Sequence, residues 1–344
     1  MKIIVDGFGG DNAPLETLKG CAQAVKEYGV SIIVTGDTAK LESCAKDNAI
    51  PMEGIAFAHA PQVITMEDEP TDVIRAKEDC SMAVGLKLLR EGKGDAFVSA
   101  GNTGALVVGS STLAGRIKGI KRAALAPLLP TAKGPYMLMD SGANLDCRPE
   151  MLVQFGIMGS VYMNKVLSIP APRVGVVNVG TEDTKGTELE IEANRLFSHA
   201  PVNCIGNIEA RELPLGGCDV AVTDGFTGNV ILKLTEGLAK GFSQSLKGIL
   251  LKNLGTKLAA LALKSGITEF RKTMDYTEYG GAPLMGIARP VIKAHGSSDA
   301  KAFMNAIRQA KLFSEQNVIG EIETALAALK ESLARGGEAN PSEE

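Results

Sequence analysis

Five loops rich in Gly, Asn, Asp and Thr hold the residues of this chain that are best suited to chemistry. Each loop directly follows an apolar stretch typical of a β-strand, and the five segments are 3–11, 96–104, 136–144, 174–182 and 220–229. Glycine lets backbone N–H groups approach a ligand closely, and the N-terminus of a following helix attracts anions. The loops therefore favour a ligand that is a phosphate or resembles one.

Polar side chains in and beside these loops extend that interpretation. Lys185 stands among glycines and threonines, where a compact cation can pair with phosphate, although it can equally be a solvated loop lysine. His295-Gly-Ser-Ser298 follows a strand-like stretch and precedes a helix that begins at Asp299, which is typical of an anion-binding nest. Four amides can donate and accept hydrogen bonds without charge: Asn102, Asn144, Asn178 and Asn229. A single such amide is more often a turn residue, but four in matching loops favour a binding role.

The common nucleotide-binding motifs fit poorly. Gly7-x-Gly9-x-x-Asn12 lacks the third glycine of the dinucleotide fingerprint, and the acid expected after the second strand comes slightly late, at Asp37. Neither a phosphate-binding P-loop nor a Gly-x-Ser-x-Gly elbow occurs in the sequence. The sequence therefore disfavours NAD-dependent dehydrogenases, P-loop ATPases and ordinary α/β-hydrolases.

Composition narrows the class of protein further. The 344 residues carry a formal net charge of −4 and no Trp, so a nucleic-acid partner is not expected. The six cysteines lack metal-ligand spacing, so we expect free thiols in a reducing cytoplasm and no metal site. We also expect no secretion signal and no span long enough to cross a bilayer.

Strand-like and helix-like stretches alternate along the chain, which predicts an α/β fold with a mostly parallel sheet and one polar cleft at its strand ends. We expect strands at 2–5, 31–35, 56–60, 96–99, 136–140, 173–179, 220–223 and 291–294. We expect helices at 15–28, 38–48, 71–91, 105–114, 149–167 and 188–198, and one or two more within 299–335. Residues 1–335 should form a single domain, followed by a flexible acidic tail over 336–344.

The segment 237–268 breaks this alternation. It contains five lysines, among them Lys252 and Lys257, and no acidic residue. Four leucines recur at helical spacing: Leu250, Leu254, Leu258 and Leu261. The pattern predicts a basic amphipathic helical hairpin, inserted at about 237–272, that can lie on an anionic membrane surface. The alternative is a hairpin that packs on the protein core or on a second subunit.

Taken in order, the loops resemble the motifs of the bacterial PlsX family of acyl carrier protein:phosphate acyltransferases. The matching segments are 5–14, 99–105, 140–144, 178–186, 223–230 and 294–298, so the resemblance covers nearly the whole chain. The chain departs from the family pattern at Gly7-Phe8 and at Asn12, where the family more often has Ala-Met and a histidine. A histidine role at position 12 is therefore impossible here.

The resemblance implies a fold, an activity and partners. The fold would be a three-layer α/β/α sandwich like that of isocitrate and isopropylmalate dehydrogenases, related to phosphotransacetylases, with a protruding helical hairpin. The activity would be transfer of a long fatty acyl group from acyl carrier protein to inorganic phosphate, without a cofactor. The protein would be a homodimer attached peripherally to an anionic membrane, supplying acyl phosphate to a glycerol-3-phosphate acyltransferase in phospholipid synthesis.

The same resemblance assigns roles to residues. Lys185 would bind phosphate or stabilise negative charge, Asn229 would hydrogen-bond the thioester or the phosphate, and Asp224 would orient Lys185 or its loop. The residues expected to line the cleft are Asp6, Gly9, Gly10, Asp11, Gly101, Asn102, Thr103, Gly104, Asn144, Asn178, Gly180, Thr181, Gly225, Gly228, His295 and Ser297. Because phosphate is itself the nucleophile and a thiolate leaves readily, the enzyme needs to position the reactants and stabilise an oxyanion.

Other functions stay open at this stage. A phosphotransacetylase acting on short-chain acyl-CoA would use similar loops but would not need the hairpin. A non-catalytic membrane-associated scaffold for lipid synthesis would need the hairpin but not Lys185 or Asn229. The lysines near the hairpin could also meet the acidic carrier protein, in competition with the membrane.

Overall fold

The computed structural model describes residues 1–131, 133–273 and 279–338, with the side chains of 269–273 and 336–338 left aside. The strands are β1 Lys2–Asp6, β2 Ser31–Gly36, β3 Ile55–His59, β4 Ala96–Ser99, β5 Ala124–Leu125, β6 Leu128–Thr131, β7 Gly134–Met139, β8 Arg173–Asn178, β9 Asn203–Glu209, β10 Val220–Val222, β11 Ala282–Met285 and β12 Val291–Lys293.

The helices alternate with these strands, as the sequence predicts. They are α1 Leu15–Tyr28, α2 Thr38–Asp47, α3 Ser81–Arg90, α4 Thr103–Gly109, α5 Pro149–Leu167, α6 Glu188–Phe197, α7 Gly225–Leu250, α8 Leu254–Ala262, α9 Lys264–Thr273, α10 Ala300–Glu315 and α11 Val318–Glu338. Short 3₁₀ turns lie at Pro70–Ile74 and Ala210–Leu215, and one π-helical turn lies at Ser110–Ala114.

The parallel strands are divided between two sheets rather than gathered in one. The first sheet has the order β3-β2-β1-β4-β12-β11-β5, and the second has the order β6-β7-β10-β8-β9. Strands pair in parallel except at β11, which is antiparallel to both of its neighbours, and at β6 beside β7. The α/β class and the mostly parallel pairing are therefore confirmed.

The hydrophobic core joins the two sheets. One cluster of buried side chains includes Ile3 and Val98 from the first sheet, Met137 and Val176 from the second, and Phe155 of α5. Parallel strands that are covered on both faces need continuous apolar sequence, which explains why the strand stretches are so easy to recognise. Because this core fixes the strands, it also fixes the positions of the loops at their ends.

The predicted helix over 71–91 is wrong. Pro70–Ile74 forms a 3₁₀ turn, and α3 begins only at Ser81, after Cys80 bridges to Gln62. The Nζ of Lys77 lies 2.6 Å from Asp68 and donates to the carbonyl of Val63, which folds the segment back on the preceding loop. A local helical pattern cannot reveal these long-range contacts.

The predicted hairpin exists, but its first helix begins at the strand ends of the second sheet. Helix α7 starts at Gly225 and runs to Leu250, and α8 and α9 continue the protruding segment. The fractional exposure of Leu254, Leu258 and Leu261 is 77%, 64% and 73%, so these leucines do not pack on the core of the same chain. Among the described residues no helix combines the length and the apolar character needed to cross a membrane. Of the predicted tail, 336–338 continue α11 and 339–344 lie outside the described residues.

Candidate active site

Three loops meet at the carboxyl end of the first sheet. The Oδ2 of buried Asp6, at the end of β1, accepts a hydrogen bond of 2.7 Å from Ser99 Oγ at the end of β4. The loop after β1 is joined to the loop after β12, since Asp11 N donates to the carbonyl of Gly296 at 2.8 Å. The structure thus brings together residues that lie nearly 300 positions apart in the sequence.

Glycines make this meeting sterically possible. A Cβ atom at Gly9 would lie 2.7 Å from both Asp6 Oδ2 and Gly101 N, so no side chain fits there. Gly10 has a φ of +100°, which side-chain-bearing residues rarely adopt. Gly104 packs in the same way against Pro70. These predicted site glycines therefore allow the loops to pack closely.

A second group of loops meets at the carboxyl end of the second sheet. The carboxylate of buried Asp140 accepts four hydrogen bonds, from the backbone N–H groups of Leu125, Ala143 and Asn144 and from Asn144 Nδ2. The first turn of α7 lies against this loop, because Gly225 N donates to the carbonyl of Asn144 at 2.7 Å and Gly228 leaves no room for a Cβ beside the carbonyl of Asp140. The segment 140–144 is thus held between β5 and α7.

The two acidic residues beneath the loops are both buried, and burial raises the pKa of each. For Asp140 the N–H donors work against that rise, and for Asp6 the hydrogen bonds from Ser81, Ser99 and the nearby backbone do so. A buried carboxylate that accepts several hydrogen bonds fixes the geometry of the donors around it. Asp6 and Asp140 therefore stabilise the conformations of the loops around them.

The four predicted amides do different things. Asn102 caps α4 by accepting from Ala105 N, Asn144 donates to the carbonyl of Ala123, and Asn178 donates to the carbonyl of Lys185. The side chain of Asn229 is exposed beside Gly142 and makes no hydrogen bond with any other described residue. Three of the amides therefore build loops, and Asn229 is the one left available for a ligand.

The Lys185 loop is held at both ends by amides. Asn178 Nδ2 donates to the carbonyl of Lys185 at 2.9 Å, and Asn207 Nδ2 donates to the carbonyl of Glu182 at 2.8 Å. The Lys185 side chain lies over Gly180, and Thr181 beside it is exposed. Asn207, on β9, was missed by the sequence analysis because that strand was not predicted.

A cleft lies between the two groups of loops and encloses about 380 Å³. Its polar side chains include Asp11, Thr103, Ser141, Lys293 and His295. Four leucines also line it and are called here the apolar wall: Leu125, Leu128, Leu129 and Leu232. The cleft therefore combines polar and charged groups with apolar surface suited to a hydrocarbon chain.

Two lysines line the cleft, Lys233 on α7 and Lys293, and the sequence analysis did not single out Lys293. Lys293 is the last residue of β12, and its Nζ donates to the carbonyls of Ala100 and Ala294. Burial lowers the pKa of Lys293 to about 8, although the negative charges of Asp6 and Asp11 favour its protonated form. The signal in the sequence was a lysine that ends an apolar strand two residues before His295.

Not every predicted residue lines the cleft. Asp11, Thr103 and His295 do, and Ser297 is hydrogen-bonded to His295 Nδ1 at 2.8 Å. Lys185 is exposed in its loop and is not among the cleft's lining residues. Asp224, expected to orient Lys185 or its loop, instead caps α7 by accepting from Thr227 N at 2.9 Å. In the described part of the chain no ion pair within 4.0 Å joins Asp224 to Lys185.

No group of three or more His, Cys, Asp or Glu side chains among the described residues is arranged to hold a metal ion. The six cysteines are free, and burial raises the pKa of the cysteine thiols Cys21, Cys44, Cys80, Cys147, Cys204 and Cys218. A thiol with a raised pKa is a poor nucleophile at neutral pH. The cysteines are therefore poorly suited to act as nucleophiles, and the polar side chains at the cleft include Lys293, His295 and the hydroxyl groups of Thr103 and Ser141.

Solved structures with a similar fold are found among phosphotransacetylases. A phosphotransacetylase from Streptococcus pyogenes superposes with a TM-score of 0.61 at 16% identity, covering 94% of each chain. The EutD phosphotransacetylase from Staphylococcus aureus gives a TM-score of 0.58 at 16% identity, covering 91% of this chain and 94% of that one. At this level of identity the likeness establishes the α/β sandwich fold.

Sequence relatives are much more similar. A phosphate acyltransferase from Alkaliphilus oremlandii is 53% identical over 329 residues, covering 96% of this chain and 98% of the relative. A phosphate acyltransferase from Thermoanaerobacterium thermosaccharolyticum is 47% identical over 334 residues, covering 97% of this chain and 99% of the relative. The family model described as "Fatty acid synthesis protein" matches residues 1–321. The resemblance seen in the loop motifs is thereby confirmed, and the chain belongs to the PlsX family of fatty acid synthesis proteins.

Proposed function

We propose that this protein transfers a long-chain fatty acyl group from acyl carrier protein to inorganic phosphate and releases acyl phosphate. The observation that carries the proposal is the cleft, which is lined both by Lys293 and His295 and by the leucines of the apolar wall. The positively charged and polar groups suit a phosphate, and the leucines suit a fatty acyl chain. The names of the relatives, phosphate acyltransferases, support the same reaction.

The reaction needs no covalent intermediate on the enzyme. An oxygen of phosphate attacks the thioester carbonyl carbon, the new C–O bond forms, and the C–S bond breaks. The carbonyl oxygen carries the developing negative charge, and the thiolate of the carrier leaves and takes up a proton. Catalysis then depends on positioning both reactants and on donors directed at the oxyanion.

The positions of the residues suggest a different role for each in binding and catalysis. Lys293 binds phosphate from the floor of the cleft, and Lys185 adds a second positive charge when its loop lies over the reactants. Asn229 is the amide without a structural task, so it donates to the thioester carbonyl or to phosphate. Asp224 orders the first turn of the helix that carries Asn229.

The setting of the reaction follows from the same proposal. The acyl phosphate is consumed by a glycerol-3-phosphate acyltransferase, and the enzyme works as a cytoplasmic homodimer that attaches peripherally to an anionic membrane. The exposed leucines of the hairpin support the attachment, since most of their surface is left uncovered by the described part of the chain. A short-chain phosphotransacetylase is the second candidate, which the likeness in fold favours and the apolar wall disfavours.

The proposal is tested with radiolabelled phosphate and defined thioesters. Wild-type protein should form acyl phosphate from palmitoyl carrier protein and much less from acetyl-CoA. Lys185→Ala and Asn229→Ala should each lower kcat/KM by roughly a hundredfold, as the loss of an oxyanion or phosphate donor does. Lys46→Ala, which changes an exposed lysine of α2, is the matched control and should keep full activity. Turnover of acetyl-CoA alone would instead identify a phosphotransacetylase.

A further inference from the structure

A second cavity, of about 610 Å³, is lined by more cations than acids. Arg116, Lys121, Arg122 and Arg148 line it, against the two acids Asp146 and Glu150. None of the four cations forms an ion pair within 4.0 Å with another described residue. The formal net charge of the chain is −4, whereas the side chains that line this basic cavity carry a net positive charge.

The loop that supplies most of these cations is rigid. In this basic loop, residues 115–122, Ile117 and Ile120 are buried while the charged residues between and after them are exposed. Ile117 N donates to the carbonyl of Gly286 at 3.0 Å. The buried amide of Gln154 accepts from Lys121 N at 2.9 Å and donates to the carbonyl of Gly119 at 3.0 Å. The backbone that carries these cations is therefore anchored to the rest of the protein by hydrogen bonds and by two buried isoleucines.

The basic loop leads directly into the candidate active site. Arg122 is followed by Ala123, whose carbonyl accepts from Asn144 Nδ2 at 2.7 Å. Two residues later Leu125 lies in the apolar wall of the cleft. Arg148 ends the loop 140–148, which also supplies Ser141 to the cleft. Two short segments of chain therefore connect the lining of the basic cavity to the lining of the cleft.

We infer that the basic cavity is the docking surface for the acidic carrier protein that delivers the acyl thioester. The inference rests on the proposed function, because it names the surface that receives the donor. A rigid patch of positive charge steers an acidic protein and fixes its orientation. The thioester arm then reaches the cleft past Asn144, while the hairpin is left free for another surface.

The test separates docking from catalysis by changing the donor. In the variant Lys121→Glu/Arg122→Glu, KM for palmitoyl carrier protein should rise about tenfold or more while kcat stays unchanged. KM for palmitoyl-pantetheine, which has the same thioester without the acidic protein, should stay at the wild-type value. Binding of fluorescent carrier protein should weaken with salt in the wild type, and much less so in the variant.

A matched variant reverses the same amount of charge elsewhere. Lys252→Glu/Lys257→Glu changes two exposed lysines of the hairpin, and its affinity for the carrier should equal that of the wild type. Equal loss of carrier affinity in both variants, or none in the loop variant, would overturn the docking surface. Loss of pantetheine turnover in the loop variant would also overturn it, because the loop would then act on the cleft itself.

The remaining outcomes address other partners and the proposed function. If the loop variant lost binding to anionic vesicles but kept its affinity for the carrier, the basic cavity would be a membrane site. If the wild type formed no acyl phosphate from any donor, the proposed function would fail. A carrier that still bound the wild type and not the loop variant would support the docking surface even then.

Discussion

Lys293 is the residue on which the chemistry of the cleft depends most directly. It lies at the end of a central strand, and its ammonium group sits among carbonyls with Asp6 and Asp11 nearby. Burial lowers the pKa of Lys293 to about 8, so the side chain is still mostly protonated at neutral pH. A fixed cation in a partly water-excluded cleft is suited to binding a phosphate dianion.

The pH dependence of phosphate binding tests this role. As the pH rises through about 8, Lys293 loses its proton, so KM for phosphate should rise in the wild type. Lys293→Arg keeps its charge in that range and should remove the rise, whereas Lys293→Met should have a high KM at every pH. Steady-state kinetics from neutral pH to well above that pKa measure all three.

Unfolding of the protein would not explain this rise in KM for phosphate. A lysine whose pKa is lower in the folded state than its ordinary value of 10.5 adds to the free energy of unfolding as the pH rises from about 8. Since the ionisation of phosphate itself is common to all variants, the comparison isolates the lysine. The same rise in Lys293→Arg as in the wild type would show that another group titrates.

At this scale the sequence identified residue types better than residue roles. Asn102, Asn144, Asn178 and Asn229 look alike in the sequence, yet the first three are occupied by loop carbonyls and N–H groups. Which amide stays available depends on contacts with distant segments, such as Ala123 for Asn144. Lys293 was not identified because it lies just outside the segment 294–298, within the apolar strand that precedes it.

At the scale of secondary structure, α7 links the candidate active site to the hairpin. Its first turn packs on the loop 140–144, and its far end enters the protruding segment. Gly228 allows the close approach, because a Cβ there would lie 1.8 Å from the carbonyl oxygen of Asp140. A change in the position of α7 would therefore move Asn229 as well.

Two glycines of the same helix test that packing. Gly228→Ala should lower the free energy of unfolding by about 1–3 kcal/mol, as overpacking does, and should lower activity through the displaced Asn229. Gly241→Ala is the matched control, since nothing lies within 4 Å of its Cβ position. It should stabilise the helix by about 0.5–1 kcal/mol. Urea denaturation followed by circular dichroism measures both, and equal stability of the two variants would refute the close contact.

The elements themselves were predictable where their signal is local. Helix α5 matches its predicted range of 149–167, because Pro149 starts it and a long apolar run follows. Strand β9 was missed because it has only two buried residues, Asn207 and Ile208, and they follow Gly206, whose φ is +78° and which lies next to a shift in the register with β8. The division into two sheets is likewise set by how strands pair across the whole chain, which a single sequence does not reveal.

At the scale of the whole molecule, the hairpin carries a run of apolar side chains that the described part of the chain leaves exposed. Exposed apolar side chains continue along α7 from Leu234 and Leu238 to Ile249, and then through α8. Lys252 and Lys257 add positive charge to the same segment. Contiguous apolar surface rimmed by charge is typical of a membrane or subunit contact, and the two occupants predict different measurements.

Replacing two leucines of the hairpin by glutamate distinguishes a membrane contact from a subunit contact. Leu254→Glu/Leu258→Glu should abolish sedimentation of the protein with anionic vesicles, because burying two carboxylates in the lipid interface is unfavourable. Turnover of soluble palmitoyl carrier protein should be unchanged, since both positions lie far along the hairpin from the cleft's lining residues. Lys252→Gln/Lys257→Gln, which keeps the apolar face, should weaken binding to anionic vesicles only in part and should lose less binding as salt is raised. If the glutamate variant instead kept its vesicle binding and became monomeric in analytical ultracentrifugation, those leucines would form the contact between two subunits.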